Sequence, residues 1–425
     1  MPYRFVHSAD VHLDSPLRSL ALRDPELAEL IGNATRRAFV NAIDLCLTEQ
    51  VDALLLAGDL YDGDQTSMKT ARFLAGQIRR LEEAGIRVFI IRGNHDALSR
   101  VTKELTFPES VKVFGGRAEA IRIERPTGLP VCIHGLSFAH PQAPESLLPR
   151  FRPPVEGAVN IGLLHTSLGG APGHDDYAPC ALADLDAAGF DYWALGHIHK
   201  RSVAQGRSTV VMPGMPQGRD INESGPKSVT LVTIGDDRSV SIEERSTSVA
   251  QFEPVSVDLV SVDDWRGVLR AIGRALRRVR ERVLSEHIVA RLRLTGTTPL
   301  AWRLRSDRDL LQEEVSNEAF GIGKSWIEKI EIACQAPRPV ADPVPDPVTE
   351  LRRLISGEVA PSAAYQQEVR DMAEELRGQL PAECRALLGS DEATFHEVLS
   401  MLVTEGAEDV LARLHAKHRA DAETA

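Results

Sequence analysis

Five short apolar runs in the first half of the chain constrain its fold more than any other feature of the sequence. Each run has four or five residues, too few for a helix, and each ends near a glycine or a polar residue. Such runs are typical of strands that are buried in a sheet. We therefore predict strands at Arg4–His7, Ala53–Ala57, Val88–Ile91, Ile161–Leu164 and Tyr192–Leu195.

Amphipathic segments separate the first three of these runs. They extend roughly over Ala34–Thr48 and Ser67–Ala84, which gives a β-α-β-α-β order. That order predicts parallel strands with helices packed against the sheet. Further along, SVTLVTI and SVSIEER are separated by GDDR, which predicts a hairpin.

Side chains that can bind a metal follow each of the five runs. They occur in the segments HSADVHL, AGDLYD, RGNHDAL, LLHTS and GHIH. A lone histidine beside an apolar run is more often a structural residue than a ligand. Five such segments, each where a strand gives way to a loop, instead predict one shared site, because side chains converge there in α/β folds.

The types and the number of donors indicate which metal ions this site could bind, and how many. Carboxylate, imidazole and amide donors without a thiolate suit Mn²⁺, Fe²⁺ or Zn²⁺ better than soft metals. Seven donors exceed what one catalytic ion requires, and two ions that share a bridging aspartate fit the number. The seven are Asp10, His12, Asp59, Asn94, His165, His197 and His199.

The motifs around these donors resemble those of calcineurin-like metallophosphoesterases. Three segments are similar in sequence to those of SbcD-type DNA repair exonucleases, and most similar to their YhaO-like branch. They are HSADVHLDSPL, GLLHTSLGG and DYWALGHIHKR. The resemblance covers residues 1–250 and continues weakly to about 335. The matching motifs, in order, are Asp10-x-His12, Gly58-Asp59-x-x-Asp62, Gly93-Asn94-His95-Asp96, His165 and Gly196-His197-x-His199.

The resemblance implies an α/β (α+β) architecture, a two-sheet β-sandwich flanked by helices. The catalytic domain is expected over residues 1–250 and a small α/β capping domain that recognises DNA over 251–335. A proline-rich linker is expected at 336–348, because QAPRPVADPVPDPV carries five prolines in fourteen residues. Residues 349–425 are expected to be helical and to be a candidate docking region for a partner.

The resemblance also implies a role for each site residue. Asp10, His12, Asp59 and His199 would hold one divalent ion. The second ion would be held by Asp59, Asn94, His165 and His197, so Asp59 would bridge the two. His95 would protonate the leaving 3′-oxygen, a role that imidazole suits near neutral pH. We favour Mn²⁺ as the ion, with Fe²⁺, Zn²⁺ and Mg²⁺ as alternatives.

Asp62 departs from the archaeal and eukaryotic relatives, which carry a histidine at that position. An aspartate there is also common in the wider superfamily. His134 or His174 could take the place of that histidine, although for both a structural role, or a supporting contact to a site residue, is favoured.

An arginine-rich segment stands out from a chain with a net charge of −12. Between Arg266 and Arg308 there are twelve arginines and three acidic residues. Guanidinium binds phosphate in a bidentate fork, so Arg266, Arg270, Arg274 and Arg277 are candidate DNA contacts. A solvated helix face and an acidic protein partner remain alternatives.

The favoured function is a two-metal DNA nuclease in DNA repair, an exonuclease with endonuclease activity also open, paired with an SMC-like coiled-coil ATPase of the SbcC type. A small-substrate phosphodiesterase or phosphatase and a non-catalytic scaffold are the alternatives, and a homodimer stays open. The chain contains neither an apolar run of membrane-spanning length nor the apolar region of a signal peptide, so we expect a cytoplasmic protein without membrane contact.

Overall fold

A computed structural model describes residues 1–15, 25–61, 68–97, 107–169, 177–337, 347–380, 385, 388–389 and 391–424. The strands that it describes are numbered β1 to β15 in chain order. They are Tyr3–Ser8, Ala53–Ala57, Arg87–Ile91, Val111–Val113, Glu119–Ile123, Val131–Gly135, Val159–His165, Tyr192–Gly196, Ser202–Gln205, Thr209–Met212, Ser228–Ile234, Val240–Ser246, Ala250–Asp258, His287–Thr295 and Ser325–Ile332.

The helices of the same residues are numbered α1 to α10 in chain order. They are Pro25–Gly32, Ala34–Thr48, Met68–Glu83, Leu182–Ala187, Trp265–Arg282, Ala301–Ser306, Arg308–Ile322, Pro347–Leu354, Ala363–Gln379 and Glu392–Thr424. A π-helical turn at Ile355–Val359 follows α8. The five predicted strands are confirmed as β1, β2, β3, β7 and β8, and the two predicted helices as α2 and α3. The predicted hairpin is confirmed as the antiparallel pair β11 and β12.

Two six-stranded sheets form the architecture of the first half. The first sheet has the order β12-β11-β1-β2-β3-β4, in which β1 to β4 run parallel. The second has the order β5-β6-β7-β8-β10-β9, with a parallel centre and antiparallel strands at both edges. Parallel strands bring their carboxyl ends to the same edge of a sheet, which is where the predicted ligands lie.

Successive side chains of the central strands point to opposite faces of the sheet, and each face packs in a hydrophobic core. In β2, Leu55 faces a core between the two sheets, whereas Leu54 and Leu56 face a core formed with α2 and α3. In β8, Trp193 and Leu195 pack in a third core on the outer face of the second sheet, with α4. The predicted two-sheet sandwich flanked by helices is thus confirmed.

The chain divides into two compact units. The first contains Met1–Pro254, Val279–Arg291 and Lys324–Glu328, and it includes every candidate metal ligand. The second contains Val255–Arg278, Leu292–Gly323 and Lys329–Ala425. Strands β13, β14 and β15 form a third, three-stranded sheet. No helix among the described residues is both long and apolar enough to cross a bilayer.

The C-terminal helix α10 belongs to the second unit and packs against α6 and α8. Its Leu411 and Ala412 are buried, and Asp409 forms ion pairs with Arg305 and Arg308. The helical character expected for this region is confirmed. The linker predicted at 336–348 lies mostly outside the described residues, because 338–346 are among those not described.

Candidate metal centre

The loops that follow β1 and β2 run side by side beyond the ends of their strands. The amide nitrogen of Asp10 donates to the carbonyl of Gly58, and that of His12 donates to the carbonyl of Asp59, both at 3.0 Å. Asp10, His12 and Asp59 all have φ between 45° and 52°, a backbone region that residues other than glycine rarely adopt. Strained backbone of this kind clusters at functional sites because the surrounding structure imposes it.

Asp10, His12 and His199 form the first group of candidate ligands. Nε2 of His12 lies 3.1 Å from Nε2 of His199. Nε2 of His199 lies 4.0 Å from Oδ1 of Asp10. One donor atom from each residue lies within 4.8 Å of the others. The backbone amide of His197 donates to both oxygens of Asp10, which fixes the carboxylate.

The second group consists of Asp59, His165 and His197. One donor atom from each of these residues again lies within 4.8 Å of the others. Nε2 of His165 lies 3.3 Å from Oδ2 of Asp59 and 3.0 Å from Oδ1 of Asn94. Nδ1 of His165 lies 2.9 Å from the carbonyl oxygen of Ala57, which accepts its proton and leaves Nε2 directed at the group.

Burial and mutual attraction set the charges of these side chains. Burial alone would raise the pKa of Asp59, but the neighbouring His165 holds it well below its ordinary value. Burial alone would lower the pKa of His165, but the Asp59 carboxylate raises it to about 9. Burial raises the pKa of Asp10. The second group therefore contains a tight carboxylate–imidazole pair.

Two glycines are required by the close approach of the loops. A Cβ atom at Gly93 would overlap Oδ1 of Asp59 and lie 2.7 Å from Nε2 of His165. Gly58 has a φ of +96°, and a Cβ there would overlap Nδ1 of the same histidine. Any larger residue at these two positions would displace the candidate ligands.

His95 lies beside both groups but belongs to neither. Its backbone amide donates to Oδ1 of Asp59 at 3.0 Å, and its side chain is exposed. The ring lies edge-on to that of His12, with 5.1 Å between the centroids. This position leaves the imidazole accessible to a substrate.

Asp96 is a supporting residue whose role the sequence did not reveal. Its buried carboxylate accepts hydrogen bonds from the backbone amides of Leu60 and Tyr61, both at 3.0 Å, and of Gly93 at 3.4 Å. Burial, together with the charge of Asp59, raises its pKa to about 7. Asp96 thus joins the loop after β2 to the loop after β3.

Glu223 was also missed, because no motif marks it. It ends a short 3-10 turn, Ile221–Glu223, and its Oε1 lies 2.8 Å from Nδ1 of His199. Burial opposes the charge of Glu223, but hydrogen bonds from His199 and Arg219 outweigh it and hold the pKa well below its ordinary value. The only local signal is the spacing of Arg219 and Glu223, four residues apart.

Of the two histidines considered as substitutes for the histidine that relatives carry at position 62, only His134 is among the described residues. Nε2 of His134 lies 3.0 Å from Oδ1 of Asn160, and its ring packs edge-on to Phe190. His134 is therefore a structural residue of the second sheet. Asp62 and His174 lie outside the described residues.

The arginine-rich segment divides into different environments. Arg266, Arg270, Arg274 and Arg277 are exposed on α5. Arg270 lies 3.6 Å from a carboxylate oxygen of Asp264, and Arg277 lies 3.0 Å from one of Glu318. Several of the other arginines form ion pairs or bond to carbonyls, so the twelve do not form one basic face. These are Arg280, Arg282, Arg291, Arg303, Arg305 and Arg308.

The two groups suit divalent ions by the chemistry of their donors. Each contributes one carboxylate and two imidazoles, with the amide oxygen of Asn94 beside the second. This nitrogen and oxygen set lacks thiolate and matches ions such as Mn²⁺, Fe²⁺ and Zn²⁺. Most of these side chains are buried, and buried charges of this kind require a partner.

Comparisons with known proteins agree with this geometry. Residues 3–201 match the family described as calcineurin-like phosphoesterase, and residues 252–335 match the middle domain of metallophosphoesterase YhaO. The uncharacterized metallophosphoesterase YhaO of Bacillus subtilis is 34% identical over 313 residues, covering 73% of this chain and 75% of that protein.

Two relatives that are named as a DNA repair protein and as part of a nuclease match more distantly. The DNA double-strand break repair protein Mre11 of Sulfurisphaera tokodaii is 29% identical, covering 50% of this chain and 54% of that protein. One component of the nuclease SbcCD of Bacillus subtilis is 26% identical, covering 54% of this chain and 66% of that protein. The extent of the YhaO match, together with the family match, shows that the chain belongs to the calcineurin-like metallophosphoesterases.

Proposed function

We propose that this metallophosphoesterase is a two-metal DNA nuclease, with exonuclease activity and a role in DNA repair. The observation that carries the proposal is the meeting of two nitrogen and oxygen donor groups beside one exposed imidazole. The relatives named as a nuclease component and as DNA repair proteins support DNA as the substrate. Endonuclease activity is a further expectation of the same chemistry.

We assign the candidate ligands to two ions and His95 to proton transfer. Asp10, His12 and His199 would hold one ion, Asn94, His165 and His197 the other, and Asp59 would contact both. Two divalent ions, with Mn²⁺ favoured, would polarise the phosphoryl group and activate water. The oxygen of the water would bond to phosphorus and its proton would pass to solvent, while the bond from phosphorus to the 3′-oxygen would break. His95 would donate a proton to that oxygen and would then be reprotonated from solvent.

The candidate DNA contacts are the four exposed arginines of α5, Arg266, Arg270, Arg274 and Arg277. Guanidinium groups favour phosphate because their donors fit its oxygens in pairs. These contacts would add affinity without sequence preference. Two of the arginines already have a carboxylate neighbour, so we assign the larger share to Arg266 and Arg274.

An SMC-like coiled-coil ATPase of the SbcC type is the proposed protein partner. The supporting observation is a set of exposed apolar side chains on the C-terminal helices, including Met372 and Leu376 on α9 and Leu402 on α10. Such side chains can enter a groove or pack on a partner helix. Replacing Met372 and Leu376 by Glu should weaken binding of the ATPase and leave metal content unchanged.

The experiment that tests the nuclease compares two substrates in the presence of Mn²⁺. End-labelled duplex DNA and bis(4-nitrophenyl) phosphate are incubated with the wild-type protein and with Asp59→Asn. We expect the wild type to degrade both and the variant to degrade neither. Hydrolysis of the small diester alone would instead indicate a small-substrate phosphodiesterase, and no hydrolysis of either would indicate a non-catalytic scaffold.

A further inference from the structure

A partly buried carboxylate, that of Glu223, lies on the far side of the His199 ring, away from the first ligand group. Oε1 of Glu223 lies 2.8 Å from Nδ1 of His199, while Nε2 of the same ring lies 3.1 Å from Nε2 of His12. The two nitrogens of one imidazole therefore face two different partners. The side chain of Glu223 is only 12% exposed, so water competes little for this hydrogen bond.

The direction of the hydrogen bond follows from its chemistry. A carboxylate accepts, so Nδ1 of His199 carries the proton when the two groups are bonded. Neutral imidazole then presents an unprotonated Nε2 to His12 and Asp10, which is the form that can bind an ion. Without such an acceptor, both tautomers of His199 would be accessible and the ring could rotate.

Arg219 holds Glu223 in this orientation. Its guanidinium nitrogens lie 2.7 to 3.2 Å from the Glu223 carboxylate, and its backbone amide donates to Oε2 at 2.7 Å. Asp220 caps the 3-10 turn by accepting from the amide of Asn222, which fixes the backbone at Glu223. Contacts to the side chain of Glu223 and to the backbone of its turn thus fix the position of the carboxylate.

The second ligand group is arranged differently. Nδ1 of His165 faces the carbonyl oxygen of Ala57, an acceptor that belongs to the backbone of β2. No side-chain substitution removes that carbonyl, whereas the acceptor for His199 is a single removable side chain. The two groups can therefore be perturbed separately.

We propose that Glu223, held by Arg219, is a positioning residue that selects the tautomer of His199 and strengthens ion binding by the group of Asp10, His12 and His199. This inference rests on the proposed metal centre. Carboxylates behind a ligand histidine typically contribute about 10- to 100-fold to metal affinity. The effect should be confined to one of the two ions.

The test measures Mn²⁺ binding to the full-length protein after metal removal, without any substrate. Calorimetric titration compares the wild type with Glu223→Ala and Glu223→Gln. We expect Glu223→Ala to weaken one of two binding steps by about 10- to 100-fold and to leave the other unchanged. Glu223→Gln keeps an acceptor oxygen and should recover most of that loss.

Glu49→Gln is the matched control, because Glu49 is also a partly buried carboxylate paired with an arginine, Arg4, but contacts no candidate ligand. It should bind both ions as the wild type does. Equal weakening of both steps in Glu223→Ala, no weakening, or a Gln variant as weak as the Ala variant would overturn the inference. A wild type that binds fewer than two ions would instead overturn the metal centre itself.

A second measurement covers the case in which Glu223→Ala does not fold. Nitrogen-15 NMR of labelled histidines distinguishes an imidazole protonated at Nδ1 from one protonated at Nε2, and a His199→Gln spectrum identifies the signal. We expect His199 to be protonated at Nδ1 in the wild type, and to lose this preference in Arg219→Met, where Glu223 is less firmly held. Protonation at Nε2 in the wild type would overturn the proposal.

Discussion

Nε2 of His12 lies 3.1 Å from Nε2 of His199, although the two histidines are 187 positions apart in the chain. Two imidazole nitrogens at this distance cannot both carry a proton. The pair is therefore arranged either for one shared proton or for an ion that both nitrogens bind. The neighbouring Asp10 favours the ion, because its carboxylate adds a third donor to the same point.

This arrangement predicts how metal content responds to substitution. His199→Gln removes a donor from the first group only, so the variant should retain one of two ions. Asp59→Asn removes the charge assigned to both ions and should lose both, together with activity. Elemental analysis of the purified variants measures each outcome, and His396→Gln, which removes a histidine from α10, is the control. Full activity with a single bound ion would contradict the two-metal account.

The candidate centre could be predicted from the sequence because its main signals are local. Each ligand follows an apolar run, and such runs can hardly form anything but buried strands. The order of the runs then brings the ligands to one edge. Asp59, for example, is placed by β2, which ends two residues before it, and no distant contact is needed to locate it.

The supporting residues could not be predicted because their partners come from distant parts of the chain. Glu223 lies in a loop that no strand or helix pattern marks, and its relation to His199 exists only after β8 and β10 pair. The arginines illustrate the same limit. Arg277 was predicted from the sequence as a candidate DNA contact, and the sequence did not indicate that Glu318 on α7 lies 3.0 Å away.

His95 is predicted to act on the proton and not on the ions. His95→Asn keeps a polar side chain at position 95, but an amide cannot transfer a proton to the leaving oxygen as an imidazolium does. Turnover should fall by about 10²- to 10⁴-fold, while both ions remain bound. Steady-state kinetics with bis(4-nitrophenyl) phosphate, combined with elemental analysis, tests this. Loss of an ion in the variant would show that His95 is a ligand.

Gly93 is predicted to be irreplaceable even by alanine. A Cβ there would overlap Asp59 and the His165 ring, so Gly93→Ala should destabilise the fold by about 1–3 kcal/mol and reduce metal content. Gly76 in α3 is the matched control, because a Cβ there meets no atom within 4 Å. Gly76→Ala should stabilise by about 0.5–1 kcal/mol.

Urea unfolding of the metal-free proteins measures both glycine variants on one scale. The comparison separates packing from backbone freedom, because alanine reduces the entropy of the unfolded chain in both cases. Similar free energies of unfolding for the two variants would contradict the close approach at Gly93.

His7 is predicted to make the fold sensitive to mild acid. It is fully buried between Tyr192 and the carbonyl of Leu195, and burial lowers its pKa to about 3. Below pH 6.5 the unfolded chain binds a proton at this residue but the folded chain does not, so stability falls as the pH drops from 6.5 towards 3. At pH 5 the loss should be about 2 kcal/mol.

His7→Gln should be less stable than the wild type at pH 7 but should lose about 2 kcal/mol less between pH 7 and pH 5. Tyr192→Phe keeps the imidazole buried and should retain the pH dependence of the wild type. Free energies of unfolding from urea titrations at the two pH values test this. An unchanged pH dependence in His7→Gln would show that other groups account for the acid sensitivity.

The arginines of α5 are predicted to bind DNA through its phosphates. Each phosphate contact releases counterions, so affinity for a labelled duplex should fall with salt at a log–log slope of about 0.9 per contact. Replacing Arg266, Arg270, Arg274 and Arg277 by Glu should weaken binding to all sequences alike and flatten this slope. Arg266→Glu with Arg274→Glu should account for most of the effect, because the other two arginines have carboxylate neighbours.

Fluorescence polarisation over a series of KCl concentrations measures the slope for each variant. The control reverses two exposed arginines of α3, Arg72 and Arg79, which changes the net charge of the protein as much as the double variant does without touching α5. Hydrolysis of bis(4-nitrophenyl) phosphate should persist in the α5 variants, because so small a substrate needs no phosphate contacts beyond the metal centre. If the α3 control flattens the slope as much as the α5 double variant does, net charge and not a specific arginine face governs DNA binding.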